Sequence, residues 1–163
     1  MSAERNTAMR KKIIIAAEES ALHLKEKLVA FMAEKGYDFT DATQGAMTYV
    51  EVGSAVGKAV SAKEYDLGIV LCGSGMGVNL VANRYSGVYC GLCESLHTAK
   101  MARTITNCNV LAMGGNIVAY DLACRMTEAF VETDFTEGFD PATAQDLKNY
   151  FAQMETVDGE THK

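Results

Sequence analysis

An α/β fold, with a parallel sheet covered by helices on both faces, is what this sequence predicts. Three observations carry that reading. Apolar or β-branched runs at 12–17, 67–72 and 109–113 are continuous rather than alternating, as strands buried on both faces are. Segments with apolar residues at helical spacing stand between such runs. A chain of 163 residues, 48% of them apolar, is long enough to enclose a proper core. Strands that alternate with helices imply right-handed crossovers and ligands gathered at the strand carboxyl ends.

The elements follow in order. Lys12 to Ala17 reads as the first strand. Ser20 to Lys35 has Leu24, Leu28, Phe31 and Met32 on one helical face, and Gly36 is a natural stop. Tyr37 to Thr40 is a short second strand, and Tyr49 to Ala62 a helix despite Gly53 and Gly57. Leu67 to Cys72 is the third strand, followed by helix-like Val78 to Arg84. Val88 to Leu92 is the fourth strand and Thr98 to Thr106 a helix. Asn109 to Met113 is the fifth strand, Tyr120 to Glu132 a well-patterned helix and Ala142 to Met154 the last one. The chain reads as a single domain over residues 1–163, with an ordered core at about 11–155 and a polar, frayed tail at 156–163.

Bulk properties exclude several function classes. A net charge of −6 weighs against nucleic acid and anionic membranes as partners. No apolar run reaches the length of a membrane span, and Met1 to Lys12 has no signal-peptide core. Five cysteines without scaffold spacing indicate reduced thiols and a cytoplasmic setting.

The most informative stretch is Leu67-Gly68-Ile69-Val70-Leu71-Cys72-Gly73-Ser74-Gly75-Met76-Gly77. A buried strand ends in a thiol, and three alternate glycines follow, letting bare N–H groups approach a ligand. A thiol beside such donors and a helix start is placed to act as a base. The donors of Gly73 to Gly77, Met76 included, are placed to hold an oxyanion.

These residues resemble the ribose-5-phosphate isomerase B family. Cys72-Gly73-Ser74-Gly75-Met76-Gly77 with Ala82-Asn83 is similar to its Cys-Gly-Thr-Gly loop and Ala-Asn-Lys. Thr98-Ala99-Lys100-Met101-Ala102-Arg103 and Asn109-Val110-Leu111-Ala112-Met113-Gly114-Gly115 continue the match, as do Leu24-Lys25-Glu26-Lys27 and Lys35-Gly36-Tyr37. The resemblance covers roughly residues 11–137 and extends to the galactose-6-phosphate isomerase subunits and to tetrose-phosphate isomerases. It implies a Rossmann-like three-layer sandwich with a five-stranded parallel sheet, and a homodimer or homotetramer whose C-terminal helix packs on a partner. It also implies aldose–ketose isomerisation through an enediolate, with no metal and no cofactor. Cys72 takes the place of the proton-shuttling cysteine, and the backbone of Gly73 to Gly77 that of the anion hole. Ser74 either bonds the substrate or is a plain turn serine.

The departures are as specific as the matches. Glu18-Glu19 stands where the family has Asp-His, and Ile105 where it has its ring-opening histidine. Gly138-Phe139-Asp140 replaces the start of a phosphate-gripping Gly-Gly-Arg-His. The chain is therefore expected to act on something other than ribose 5-phosphate. An open-chain tetrose phosphate needs no ring opening and fits Ile105. An unphosphorylated sugar acid fits the missing grip, and Met47-Thr48-Tyr49-Val50 and Gly87-Val88-Tyr89-Cys90-Gly91-Leu92 are similar to a ketouronate-isomerising branch. A second subunit supplying the histidine, or a silent sugar-binding homologue, are further alternatives.

Other residues complete the expected site. Glu18 is either a general acid for the substrate oxygens or, with Glu19, part of a solvated acidic pair. Arg103 is the first choice of cation for an anionic substrate, with Arg84 next. Tyr49 falls on a pocket-lining tyrosine, and Asn109 on an asparagine that orients substrate or caps a turn. His97 is either a replacement donor or a surface loop histidine, and His23 a surface residue. Cys90-x-x-Cys93 resembles a metal or redox pair, but strand alternation puts its thiols on opposite faces.

Overall fold

The computed structural model describes residues 10–162. Five strands run β1 (Lys12–Ala17), β2 (Asp38–Asp41), β3 (Leu67–Cys72), β4 (Cys90–Leu92) and β5 (Val110–Gly114). Six helices alternate with them: α1 (Leu22–Lys35), α2 (Tyr49–Ser61), α3 (Met76–Ala82), α4 (Leu96–Thr104), α5 (Tyr120–Glu132) and α6 (Pro141–Thr161). All strand pairs are parallel, in the order β2-β1-β3-β5-β4.

Strand parity divides the core in two. Ile13, Ile15, Ala17, Leu67, Ile69, Leu71, Leu111 and Met113 face α1, α4 and α5. Ile14, Ala16, Val70, Cys72, Val110 and Ala112 face α2 and α3. This two-sided burial is why the strands read as unbroken apolar runs. Gly53 and Gly57, unfavourable within a helix, have a packing reason: a Cβ there would stand 2.7 Å from Val81 Cβ and 2.4 Å from Tyr85 Cδ2. They let α2 lie close against α3 and the turn after it.

The topology sets the position of a site. From β1 the chain leaves toward β2, whereas from β3 it leaves toward β4 and β5 on the other side. The loops after β1 and β3 therefore part, and a crevice opens at their carboxyl ends. Glu18 and Cys72 stand at that point.

Local differences from the expected elements have identifiable causes. Helix α3 starts at Met76 because Gly75, at φ +80°, serves as its N-cap. Helix α4 starts at Leu96 because Ser95 and Thr98 form a reciprocal capping box, which places His97 inside its first turn. The fourth strand is shorter than Val88 to Leu92: the Asn109 side chain accepts from Tyr89 N at 2.8 Å and takes over the pairing there. The tail expected to fray from Thr156 is helical to Thr161. Asp158 accepts from Ser86 Oγ (3.0 Å) and Gly87 N (2.9 Å), while Phe151 packs edge-on to Tyr89. Helix α6 thus docks on its own chain, although none of its residues is buried. Among the described residues no helix is long and apolar enough to cross a membrane.

Candidate active site

Cys72 ends β3 with 5% of its surface exposed. The Gly75 N–H donates to its Sγ at 3.1 Å. That contact requires the left-handed turn at Gly75, where a Cβ would lie 2.6 Å from Leu92 Cδ1 and 2.8 Å from the Met113 carbonyl carbon. No side chain fits, so glycine is the only residue that brings this N–H onto the sulfur.

The loop's other groups fall into two sets. The carbonyls of Cys72 and Gly73 accept from Gly115 N (2.8 Å) and Asn116 N (3.1 Å), which ties the nest to the exit of β5. The Ser74 hydroxyl accepts from Met76 N at 3.3 Å, the turn-serine role, and its own proton stays available. Among the described residues, the N–H groups of Gly73, Ser74 and Gly77 have no protein acceptor. Unpaired N–H groups grouped in one turn beside a thiol have the geometry of an oxyanion hole. Met76, more than half exposed, sits on the rim, and the Tyr49 ring covers Gly77, where a Cβ would stand 2.6 Å from Tyr49 Cδ2. Tyr49 is placed by the Thr48–Glu51 capping box that starts α2.

Across the crevice, Glu18 N donates to Leu71 O at 2.9 Å, pinning the end of β1 beside Cys72. Its carboxylate accepts from the Ser20 backbone N–H at 3.2 Å and from the Ser20 hydroxyl. Glu19 is exposed. Ser20 Oγ and Asn116 Nδ2 come within 3.1 and 3.3 Å of where a Gly73 Cβ would sit. Neither Ser20 nor Asn116 belongs to a motif, although the strand pattern puts Gly114 to Asn116 among the strand carboxyl ends where ligands gather. The only signal for them was position, one loop past a strand end on either side of Cys72.

Arg103 and Asn109 do not join this group within one protomer. Cys72 pairs with Gly114, and Asn109 lies five residues back along β5, roughly 16 Å away at 3.3 Å per residue. Helix α4 runs antiparallel to the strands, so its C-terminal end, with Arg103 and Ile105, lies at the strands' amino ends. Arg103 is 7% exposed and donates to the carbonyls of Thr133 and Cys108 and to Asn107 Oδ1. Its guanidinium lies 5.6 Å from the Phe130 ring centroid. Burial pulls its pKa below the ordinary arginine value. Asn109 bridges Tyr89 N and Gly87 O, the turn-capping role. Both line a cavity of about 520 Å³ with Lys63, Tyr89 and Phe151. His97 is exposed on α4 beyond β4.

The remaining thiols are set apart by their surroundings. Cys90 packs toward α3, while Cys93 and Cys108 belong to the opposite half of the core, as alternation requires. Burial pushes the Cys90 and Cys108 thiols up, and Cys93 up to about 11. Among the described residues no three His, Cys, Asp or Glu side chains converge as metal ligands would.

Comparison with known proteins identifies the family. Residues 13–147 match the family described as Ribose/Galactose Isomerase. The chain is 36% identical over 141 residues to a 4-deoxy-4-sulfo-D-erythrose isomerase from Clostridium sp. (strain MSTE9), covering 84% of this chain and 89% of that protein. It is 29% identical over 147 residues to a D-erythrulose-4-phosphate isomerase from Pectobacterium atrosepticum, covering 88% and 96%. The solved structure of Clostridium thermocellum ribose-5-phosphate isomerase B superposes with a TM-score of 0.82 at 26% identity, covering 91% of this chain and 98% of that one. With its sheet order, its Cys72 nest and this match across most of its length, the chain belongs to the ribose/galactose isomerase family of aldose–ketose isomerases.

Proposed function

We propose that this protein interconverts a short, open-chain aldose phosphate and its ketose, with Cys72 as the proton shuttle. The observation that carries the reading is the Gly75 N–H on Cys72 Sγ beside the unpaired N–H groups of Gly73, Ser74 and Gly77. The Cys72 thiolate takes the proton from the carbon next to the carbonyl. The loop N–H groups, with the Ser74 hydroxyl, hold the enediolate oxygen as charge develops. The thiol then returns the proton to the neighbouring carbon. Ile105 offers no proton at the family's ring-opening position, which suits a substrate that forms no stable ring. Two relatives named for four-carbon substrates support the same size class.

A second reading is favoured by the rim. Glu18 and Glu19 add negative charge beside the nest, and among the described residues neither forms an ion pair. A singly charged sulfonate is repelled less than a doubly charged phosphate, and one relative is named for a sulfonated tetrose. The working form is proposed to be a homodimer. Tyr49, Val50, Met76 and Leu80 form an exposed apolar face on α2 and α3 beside the nest, suited to a second copy. Arg103 and Asn109 can meet a substrate only if such a partner brings them to it.

The test is solvent-deuterium exchange at the substrate's α-carbon, followed by NMR. D-erythrulose 4-phosphate, 4-deoxy-4-sulfo-D-erythrose, ribose 5-phosphate and a ketouronate are compared in wild type and Cys72→Ala. Exchange with a four-carbon substrate, lost in Cys72→Ala, is expected. Undiminished exchange in that variant overturns the role of Cys72, and preference for ribose 5-phosphate or the ketouronate overturns the substrate class.

A further inference from the structure

Isomerisation moves two protons, and the nest accounts for one. While the enediolate exists, Cys72 holds the carbon-bound proton. The hydroxyl proton must still leave one substrate oxygen and reach the other. The thiol is occupied with the first proton at that moment, so a second group at the crevice carries this one.

The groups that meet the nest from the β1 side are Glu18 and Ser20. Glu18 is fixed beside Cys72 by its N–H on Leu71 O. Its carboxylate forms no ion pair among the described residues and turns instead onto Ser20. Capping the short turn Glu19–Ala21 explains the bond from Ser20 N. It does not explain why the Ser20 hydroxyl donates to the same carboxylate oxygen, nor why that hydroxyl lies 3.1 Å from the Cβ position of Gly73. Asn116 Nδ2 reaches the same point from β5, at 3.3 Å. Gly73 is the first residue of the nest, so an oxygen held there lies within reach of a hydroxyl backed by a carboxylate and of an amide donor.

Resting on the isomerase reading above, we propose that Ser20 and Glu18 form the relay for the hydroxyl proton and that Asn116 orients the oxygen that gives it up. The substrate O–H donates to Ser20 Oγ. As its proton moves to Ser20, the Ser20 proton moves to the Glu18 carboxylate. Return of that proton from Glu18 through Ser20 to the second oxygen completes the transfer. One O–H bond breaks on the substrate and one forms; nothing is oxidised or reduced, and relay and thiol both end as they began. Ser20 is the catalytic residue of the pair, and Glu18 acts through it.

The experiment separates the two proton paths. Wild type, Cys72→Ala, Ser20→Ala, Ser20→Thr and Glu18→Gln are incubated with D-erythrulose 4-phosphate in D₂O, and deuterium uptake and isomer formation are followed together by NMR. Thermal melts are recorded for each. Ser20→Ala and Glu18→Gln are expected to keep deuterium uptake near the wild-type rate while isomer formation falls about a hundredfold. Ser20→Thr, which keeps the hydroxyl, is expected to restore isomer formation. Equal loss of both rates, or loss of neither, overturns the relay while leaving the isomerase reading intact. Wild type with no uptake, or Cys72→Ala with wild-type uptake, overturns the reading on which the relay rests.

Discussion

The two edges of the sheet are built from similar parts and used differently. At the carboxyl edge Cys72 meets a backbone N–H, and the donors of Gly73, Ser74 and Gly77 are unclaimed among the described residues. At the amino edge Cys108 has Thr106 Oγ1 at 3.2 Å and is pushed up in pKa by burial, while the Arg103 donors go to main-chain carbonyls. The difference teaches that a reactive residue type is not itself a site. What distinguishes the carboxyl edge is donors left over once the fold has satisfied itself. It also exposes a charge problem. The cavity at the amino edge is lined by Lys11, Lys63 and Arg103 together with Asp66 and Glu155, whereas the carboxyl edge pairs Lys25 with Asp41 and adds Glu18 and Glu19.

The sharpest way to break this comparison is to remove one thiol from each edge. Cys72→Ala is expected to lower α-proton exchange by about a thousandfold, with an unchanged far-UV spectrum. Cys108→Ala is expected to leave exchange intact and cost about 1 kcal/mol of stability. Loss of exchange in Cys108→Ala instead would move the chemistry to the amino edge. The nest is tested by Gly75→Ala. Its φ of +80° and a Cβ 2.6 Å from Leu92 Cδ1 leave no unstrained position for the methyl group. Urea melts should show a loss of about 2–4 kcal/mol, and exchange per folded molecule should fall about a hundredfold as the donor leaves the sulfur. A folded Gly75→Ala protein with normal exchange would show that this N–H is not needed.

Much of the fold was legible because burial on both faces writes itself into unbroken runs. Residues 12–17, 67–72 and 120–132 are read with their bounds as observed. What was not legible depends on side chains meeting across distance. The Asn109 amide truncates the fourth strand, and Asp158 with Phe151 ties down a polar tail that local propensity leaves loose. For the site, the cysteine and its glycines are contiguous and therefore visible. Arg103, the expected cation, lies on α4, which within one protomer carries it to the edge away from Cys72. Ser20 and Asn116 converge on Gly73 from loops 96 positions apart in the chain, which no local pattern records.

Arg103 gives the next, smaller test. Arg103→Met keeps the volume but leaves the Thr133 and Cys108 carbonyls without their donor. Stability should fall by about 1–3 kcal/mol, seen as a Tm lower by about 2–4 °C for each kcal/mol. The KM for D-erythrulose 4-phosphate should stay within about threefold of wild type, because the roughly 16 Å between the edges leaves Arg103 off the substrate in one protomer. A KM raised more than about tenfold with little change in Tm would mean that a partner's copy delivers this guanidinium to the nest.

The smallest effect concerns the Lys25–Asp41 pair at the carboxyl edge, 2.8 Å apart and partly buried. Burial alone would raise the Asp41 carboxyl, but the Lys25 bond and the Thr43 donors outweigh it, and its pKa lies below the ordinary 3.8. A folded value below the unfolded one means the unfolded chain binds the proton more readily. The pair therefore stabilises the fold above the unfolded value, and that contribution is lost as pH falls through the folded one. Asp41→Asn should cost about 0.5–1 kcal/mol at neutral pH, and the gap from wild type should close in urea melts near pH 3. The same substitution frees the Lys25 ammonium beside the crevice. If an anionic substrate lies within its reach, KM at pH 7 should fall by up to about fivefold at low salt, the equivalent of about 1 kcal/mol. If KM does not move, the carboxyl edge of one protomer offers the substrate no cation from this pair. The charge that balances a phosphate or sulfonate must then come from backbone donors or from a second copy of the chain.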